Sequence, residues 1–246
     1  MIRKNCELVQ LKLDIETSVV DSTPTEAEYG VPLPLVEVGV GVDKKLIYLA
    51  RHGDIGLGKD KRFIGQSDLP LTDLGKKQAH SLKDKFCQVP LENIYCSDLV
   101  RSQQTAEIIA SAHKIMPMAR LELRELNMGD WEGKLFSDIR DNYPQEYKER
   151  GENIAHYSTP EGESFSDCYN RVIPIFESLT QSEENTILII GHAGVNRVIL
   201  CHVLGIPLAS IFRLEQSYGC LNLICKVGAE YQLKYLNLTA LDSGTF

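Results

Sequence analysis

The chain has 246 residues, of which 43% are hydrophobic and 24% charged, a composition typical of a globular protein with a sizeable core. Its formal net charge of −8 argues against a general nucleic-acid binder. The sequence has neither the apolar run of a signal peptide nor a stretch of about 18 apolar residues, so we expect a cytoplasmic protein that does not contact a membrane.

The chain contains seven cysteines, an odd number, and no CxxC pair. Most of them lie among apolar neighbours, which favours reduced, buried thiols over a disulfide framework or a zinc site. We therefore expect no metal and no other cofactor.

The sequence divides into two parts of different character. Residues 1–44 carry prolines and glycines without a helical period, and we interpret them as a loosely ordered N-terminal extension. Within it, residues 36–42 are a candidate edge strand, and the extension as a whole is a candidate pocket cap or homodimer contact. Residues 45–246 form the second part, which we interpret as a single domain.

In this domain, apolar strands alternate with helical patterns. Strands are predicted at 46–50, 93–97, 119–126 and 185–190, and a closing hairpin at 218–238 around Gly228. Helices are predicted at 70–86, 98–113, 163–179 and 194–205, the first with Thr72 as N-cap and the third with a kink at Pro174.

This alternation predicts an α/β fold with a mostly parallel central sheet and helices on both faces. In such sheets, ligands bind beyond the carboxyl ends of the strands. The residues that follow the strands are therefore the candidates for a functional site.

Two arginines, two histidines and one carboxylate follow four of the predicted strands. They are Arg51, His52, Arg101, Glu125 and His192. This set suits phosphoryl transfer through a histidine, because an imidazole nitrogen attacks phosphorus and guanidinium groups bind the phosphate oxygens. A carboxyl group then supplies the proton that the leaving alkoxide needs. Arginines would repel a cation, which argues against a histidine metal site.

Six segments, in order, resemble the histidine phosphatase superfamily, which also includes phosphoglycerate mutases. They are YLARHG (48–53), GQSDLPLTDLG (65–75), SDLVRSQQTA (97–106), LRELNMGDWEG (123–133), PEGESFSDCYNRV (160–172) and IIGHAGVNRVIL (189–200). The superfamily fold is a mostly parallel sheet flanked by helices, which agrees with the alternation of strands and helices.

The resemblance implies a role for each catalytic candidate. His52 would be the phosphorylated nucleophile, and His192 a second histidine in the phosphate pocket. Glu125 would be the general acid and then the base toward water. Glu122 and Glu132 lie close by, but the pattern EL followed by GDWEG identifies Glu125.

The resemblance also implies the phosphate-binding residues. Arg51 and Arg101 would clamp the phosphate together with His192, and Gly53 would leave room for it. Gly58 is a departure, because many members of the superfamily carry asparagine six residues after the nucleophile.

The predicted function is that of a metal-independent phosphatase for a small phosphorylated metabolite. Phosphoglycerate mutases carry a basic insertion after the acid, and NMGDWEGKLFSDIRDNYP (127–144) lacks one, which favours a phosphatase. NMGDWEG, GES and FRLEQSYGCLNLI resemble the alpha-ribazole phosphatases of cobalamin synthesis. A mutase or phosphotransferase and a catalytically weak phosphate-binding regulatory module remain the alternatives.

Overall fold

A computed structural model describes residues 44–58 and 60–239. Its strands are β1 (Lys44–Arg51), β2 (Asn93–Cys96), β3 (Met118–Ala119), β4 (Thr186–Gly191), β5 (Leu221–Val227) and β6 (Glu230–Leu238). They form one sheet in the order β3–β2–β4–β1–β5–β6, in which β5 and β6 are antiparallel to their neighbours and the other strands are parallel. The extension predicted for residues 1–44 lies outside the described residues, apart from Lys44, and stays a prediction.

Helices cover both faces of the sheet. They are α1 (Asp73–Phe86), α2 (Val100–Ala110), α3 (Phe136–Asn142), α4 (Pro144–Glu152), α5 (Phe165–Thr180) and α6 (Ala193–Leu204). Every residue of β4 is buried, and its alternate side chains belong to two separate cores. Ile187 and Ile189 pack with α5 and α6, whereas Leu188 and Ile190 pack with α1 and α2. The predicted fold class is confirmed.

The helix starts follow local sequence signals. The hydroxyl of Thr72 accepts a hydrogen bond from the backbone N–H of Gly75 at 3.0 Å, which confirms the predicted N-cap of α1. A capping box between Ser164 and Asp167 begins α5, and this helix continues through Pro174. Among the described residues, none of the helices combines the length and the apolar character of a membrane span.

One predicted strand is wrong. Of residues 119–126, only Ala119 lies in a strand, and residues 121–123 form a 3₁₀ turn. Leu121 and Leu123 alternate with charged residues in the sequence, as in a strand, but the turn leaves Leu121 62% exposed and buries Leu123 completely. Glu125 therefore follows a turn beyond the edge strand, not the end of a long strand.

The thiols are largely buried, as predicted. Of the six free cysteines in the described part of the chain, five are buried and Cys87 is exposed. Burial raises the pKa of Cys96 to about 12 and that of Cys201 to about 11. These two thiols are therefore protonated at neutral pH and are poor nucleophiles.

Four segments meet at one edge of the sheet. Arg51 pairs with Gly191, so the carboxyl ends of β1 and β4 lie side by side, and β2 ends in parallel next to them. Because β5 is antiparallel to β1, its first residue, Leu221, pairs with Ala50 near the same edge. The residues before β5 therefore also reach this edge.

The end of β1 is in very close contact with the start of α1. An added Cβ atom on Gly53 would lie 2.3 Å from the carbonyl oxygen of Gly75. One on Gly75 would lie 2.2 Å from the carbonyl oxygen of Asp54. Glycine at position 53 is therefore required for backbone packing, which is a different reason from the predicted room for a phosphate.

Gly53→Ala is expected to lower the free energy of unfolding by about 2–3 kcal/mol, because α1 would have to shift away from β1. Urea denaturation measures this change. Gly151→Ala is the matched control, because its added Cβ in α4 meets no atom within 4 Å and alanine favours a helix. Equal stabilities of Gly53→Ala and wild type would contradict the close approach.

Candidate active site

His52 lies directly beyond β1 and is 3% exposed. Its backbone N–H donates to the carbonyl of Gly191 at 3.2 Å, which holds it against the end of β4. Its ring Nδ1 lies 2.7 Å from the carbonyl oxygen of Gly53. A carbonyl oxygen only accepts, so Nδ1 carries the proton and Nε2 keeps its lone pair. The side chain is thereby set in the tautomer that makes Nε2 a nucleophile.

The surroundings of His52 keep its imidazole neutral. Burial, followed by the charges of Arg51 and Arg101, holds the pKa of His52 well below its ordinary value. The hydrogen bond to Gly53 opposes this shift only in part. The neutral form is the one that can attack phosphorus.

His192 follows β4, and its ring centroid lies 5.0 Å from that of His52. It is completely buried, and its Nε2 lies 2.7 Å from the hydroxyl oxygen of Ser97. Nδ1 is also buried and has no hydrogen-bond partner among the described residues. Burial, followed by the charge that a protonated His52 would carry and by the charges of the nearby arginines, holds the pKa of His192 well below its ordinary value. A second neutral imidazole thus lies beside the first.

Arg101 is 1% exposed and extends from the first turn of α2. Its Nη1 donates to the carbonyl of Ser67 at 2.6 Å and its Nη2 to that of Gly65 at 2.5 Å. Glu132 holds the same loop, because its carboxylate accepts from the backbone N–H groups of Gly65, Gln66 and Ser67. Arg101 is therefore fixed in place by carbonyl groups that leave its charge intact.

Arg51 is half-buried at the end of β1. Its Nη1 donates to the carbonyl of Gln216 at 2.7 Å. Neither Arg51 nor Arg101 forms an ion pair with a carboxylate in the described part of the chain, and the Nε of each is buried without a hydrogen-bond partner there. Two guanidinium groups without a direct ion pair, beside two neutral imidazoles, suit an anion with several oxygens.

Glu125 is 7% exposed and lies beside the start of α6. Its Oε1 accepts from the N–H of Leu126 at 2.9 Å, and its Oε2 accepts from the N–H of Gly194 at 3.0 Å. Gly194 comes two residues after His192, so the carboxylate lies at the start of α6, beyond the end of β4. An added Cβ on Gly194 would lie 2.5 Å from Oε1, which explains the glycine.

The two neighbouring glutamates have other environments. Glu122 is exposed, and the carboxylate of Glu132 accepts hydrogen bonds from the loop that contacts Arg101. The structure therefore places Glu125 beside Gly194 at the start of α6, two residues after His192, and uses Glu132 to hold the loop. The catalytic role of Glu125 stays a prediction.

Sequence analysis missed three residues of the site. Ser97 contacts His192, Gln216 contacts Arg51, and the ring of Tyr218 lies 5.5 Å from that of His52. Ser97 was visible as the residue that follows β2. Gln216 and Tyr218 come before β5. The search for residues beyond the carboxyl ends of strands overlooked them, because an antiparallel strand brings its amino end to the same edge of the sheet.

Gly58, which replaces the asparagine of many superfamily members, lies in an exposed loop. Its φ is +59°, and an added Cβ would meet nothing within 4 Å. Glycine and asparagine both adopt this left-handed conformation readily. Glycine therefore preserves a backbone conformation open to asparagine while removing the side-chain amide.

Comparison with known proteins agrees with this geometry. Residues 47–239 match the family model described as "Histidine phosphatase superfamily (branch 1)". The adenosylcobalamin/alpha-ribazole phosphatase of Escherichia coli (strain K12) is 26% identical over 198 residues, which cover 80% of this chain and 95% of that protein. A Yersinia pestis (strain Pestoides F) protein named "Probable phosphoglycerate mutase GpmB" is 32% identical over 170 residues, or 69% of this chain and 79% of that one.

Solved structures include similar proteins. The crystal structure of the alpha-ribazole phosphatase from Shigella flexneri aligns with a TM-score of 0.73 and 28% identity, covering 78% of this chain and 96% of that chain. The superfamily predicted from the six segments is confirmed, and with it the prediction of a histidine phosphatase.

The low pKa values of His52 and His192 make stability depend on pH. An unfolded histidine takes up a proton below about pH 6.5, whereas these two stay neutral in the folded protein to lower pH. The unfolded state therefore binds more protons as pH falls below about 6.5, and the free energy of unfolding should decrease by up to about 1.4 kcal/mol per pH unit for each histidine.

His52→Gln removes one of these two groups, so its free energy of unfolding should decrease less steeply than that of wild type between about pH 6.5 and 5. Urea denaturation at several pH values gives both slopes. His80→Gln is the control and should keep the wild-type slope, because His80 is exposed on α1. A wild-type slope in His52→Gln would contradict a neutral, buried His52.

Proposed function

The chain belongs to the histidine phosphatase superfamily, and on that premise we propose that it hydrolyses a phosphomonoester of a small metabolite through a phosphohistidine. One observation carries the proposal. His52 is a buried neutral imidazole with its Nδ1 proton bound to Gly53, and it lies beside two arginines that have no carboxylate partner among the described residues. A nucleophile without charge next to uncompensated positive charge is suited to attack on a phosphate.

In the first step, Nε2 of His52 forms a bond to phosphorus while the bond from phosphorus to the ester oxygen breaks. Arg51, Arg101 and His192 bind the equatorial oxygens, whose charge they stabilise. The carboxyl group of Glu125 gives its proton to the leaving alkoxide, which departs as an alcohol.

In the second step, water attacks the phosphohistidine. The Glu125 carboxylate takes a proton from this water, the N–P bond breaks, and inorganic phosphate forms together with the free His52. After the second step Glu125 is protonated again and Nε2 of His52 has its lone pair back. The cycle therefore consumes only the phosphomonoester and water. All the charge stabilisation in both steps comes from side chains of this chain.

His52→Ala is expected to abolish hydrolysis of p-nitrophenyl phosphate, whereas wild type should remain active in EDTA. The reason is that the nucleophile is the imidazole and the phosphate is bound by arginines. Rapid quenching at alkaline pH, with ³²P-labelled substrate, should trap labelled wild type and no labelled His52→Ala. Wild-type rates in His52→Ala, or loss of wild-type activity to EDTA, would contradict the mechanism.

Glu125→Gln is expected to slow the hydrolysis of alkyl phosphates by about 10²–10³-fold and that of p-nitrophenyl phosphate much less, because only a poor leaving group needs the proton. Steady-state kcat/KM values for the two substrate types measure this difference. Glu122→Gln is the matched control, since Glu122 is exposed in the 3₁₀ turn before Glu125. Equal losses for both leaving groups in Glu125→Gln would contradict the role of Glu125 as acid.

The proposed substrate is alpha-ribazole 5′-phosphate. The similarity to alpha-ribazole phosphatases over about four-fifths of the chain supports it. The similarity to a protein named as a phosphoglycerate mutase supports transfer as the second candidate.

The two candidates give different products in ³¹P NMR. Incubation with alpha-ribazole 5′-phosphate should release inorganic phosphate. Incubation with 3-phosphoglycerate should leave the substrate unchanged. Conversion of 3-phosphoglycerate to 2-phosphoglycerate without release of phosphate would establish the mutase instead.

A further inference from the structure

We infer that Tyr218 is a positioning residue that holds Arg51 in its phosphate-binding orientation, a role that rests on the proposed function of Arg51. The guanidinium carbon of Arg51 lies 3.7 Å from the centroid of the Tyr218 ring. The other cation–ring contacts in the described part of the chain are 5.2 Å or longer. At 3.7 Å the guanidinium group lies in close contact over the ring face.

A second contact fixes the edge of the same guanidinium. Nη1 of Arg51 donates to the backbone carbonyl of Gln216 at 2.7 Å, two residues before Tyr218. No carboxylate among the described residues forms an ion pair with Arg51. The short segment 216–218 therefore restrains both the face and one edge of the group, and the remaining N–H groups are left for an anion.

The segment itself is rigidly held by buried amides. Gln216 is 3% exposed, and its Nε2 donates to Oδ1 of Asn222 at 2.9 Å. Its Oε1 accepts from Nδ2 of Asn196 at 3.1 Å and from Nδ2 of Asn222 at 3.0 Å. The N–H of Gly219 donates to the carbonyl of His52 at 3.1 Å. Tyr218 thus projects from a platform that is tied to the nucleophile and to α6.

An aromatic ring is the feature that this position requires. Burial raises the pKa of Tyr218 above its ordinary value, against the opposing charge of Arg51. The phenol therefore stays neutral, and the ring face attracts the guanidinium through its quadrupole. The centroid of the same ring lies 5.5 Å from that of His52. Phenylalanine keeps the ring and loses only the hydrogen bond between the phenol and Arg51, whereas leucine keeps only bulk.

Orthovanadate binding, measured by isothermal titration calorimetry, tests the role without turnover. Tyr218→Leu should weaken binding about 10-fold, and Tyr218→Phe should restore it to within about threefold of wild type. Arg51→Ala should weaken binding about 100-fold. Tyr143→Leu is the matched control and should bind as wild type, because Tyr143 is 44% exposed and faces Lys134.

The double variant Arg51→Ala/Tyr218→Leu identifies how Tyr218 acts. If Tyr218 works through Arg51, the double variant should bind vanadate no more weakly than Arg51→Ala, a strongly non-additive result. If Tyr218→Leu acted through a general loss of structure, it would weaken vanadate binding by the same factor in wild type and in Arg51→Ala. Should Tyr218→Leu fail to fold in a thermal melt, Tyr218→Met fills the same space and replaces it in the cycle.

The outcomes separate failure of the inference from failure of the proposed function. If Arg51→Ala bound vanadate as tightly as wild type, Arg51 would not be a phosphate-binding residue, and its proposed function would be wrong. Weak binding by Arg51→Ala together with wild-type binding by Tyr218→Leu would overturn the positioning role alone. Additive losses in the double variant would overturn it as well.

Discussion

The hydrogen bond from Nδ1 of His52 to the carbonyl of Gly53 is the contact on which the chemistry of the site depends. Imidazole has two nitrogens, and this bond decides which of them carries the proton and which one attacks. The bond requires the backbone at position 53 to turn its carbonyl toward the ring. That backbone is in turn pressed against Gly75 at the start of α1. The tautomer of the nucleophile is therefore set by the packing of a helix against a strand end.

The second constraint is electrostatic and works against stability. Burying Arg101 without a carboxylate partner costs free energy, which hydrogen bonds to the carbonyls of Gly65 and Ser67 offset in part. A carboxylate at the same place would neutralise the charge and compete with phosphate. Carbonyl oxygens carry only partial charge, so they orient the guanidinium without cancelling its attraction for an anion. The same reasoning applies to Arg51 and the carbonyl of Gln216. The site is built to be stabilised by its ligand.

The strand ends were predictable because apolar runs that stop at charged residues are a strong signal. Arg51 and His52 follow such a run, and His192 follows the fully buried β4. The turn before Glu125 was not predictable, since Leu121 and Leu123 alternate with charged residues and so give the period of a strand, although the fold exposes one and buries the other. Tyr218 was missed because its position depends on the antiparallel direction of β5, a property of the pairing that no local pattern in this segment encodes. Hydrogen-bond geometry, such as the tautomer of His52, exists only in three dimensions.

Hydrolysis and phosphoryl transfer use the same groups at this sheet edge. In the proposed mechanism, His52, Arg51 and Arg101 would act before the acceptor arrives, and Glu125 would remove a proton from water or from a substrate hydroxyl by the same chemistry. The choice between them therefore depends on whether the dephosphorylated product is retained beside the phosphohistidine. Retention needs binding groups beyond the phosphate pocket. Only four residues, 132–135, separate Trp131 from α3, and one of them, Glu132, is already engaged with the loop beneath Arg101. This short connection offers few groups to hold a product, which supports the proposal that water is the acceptor.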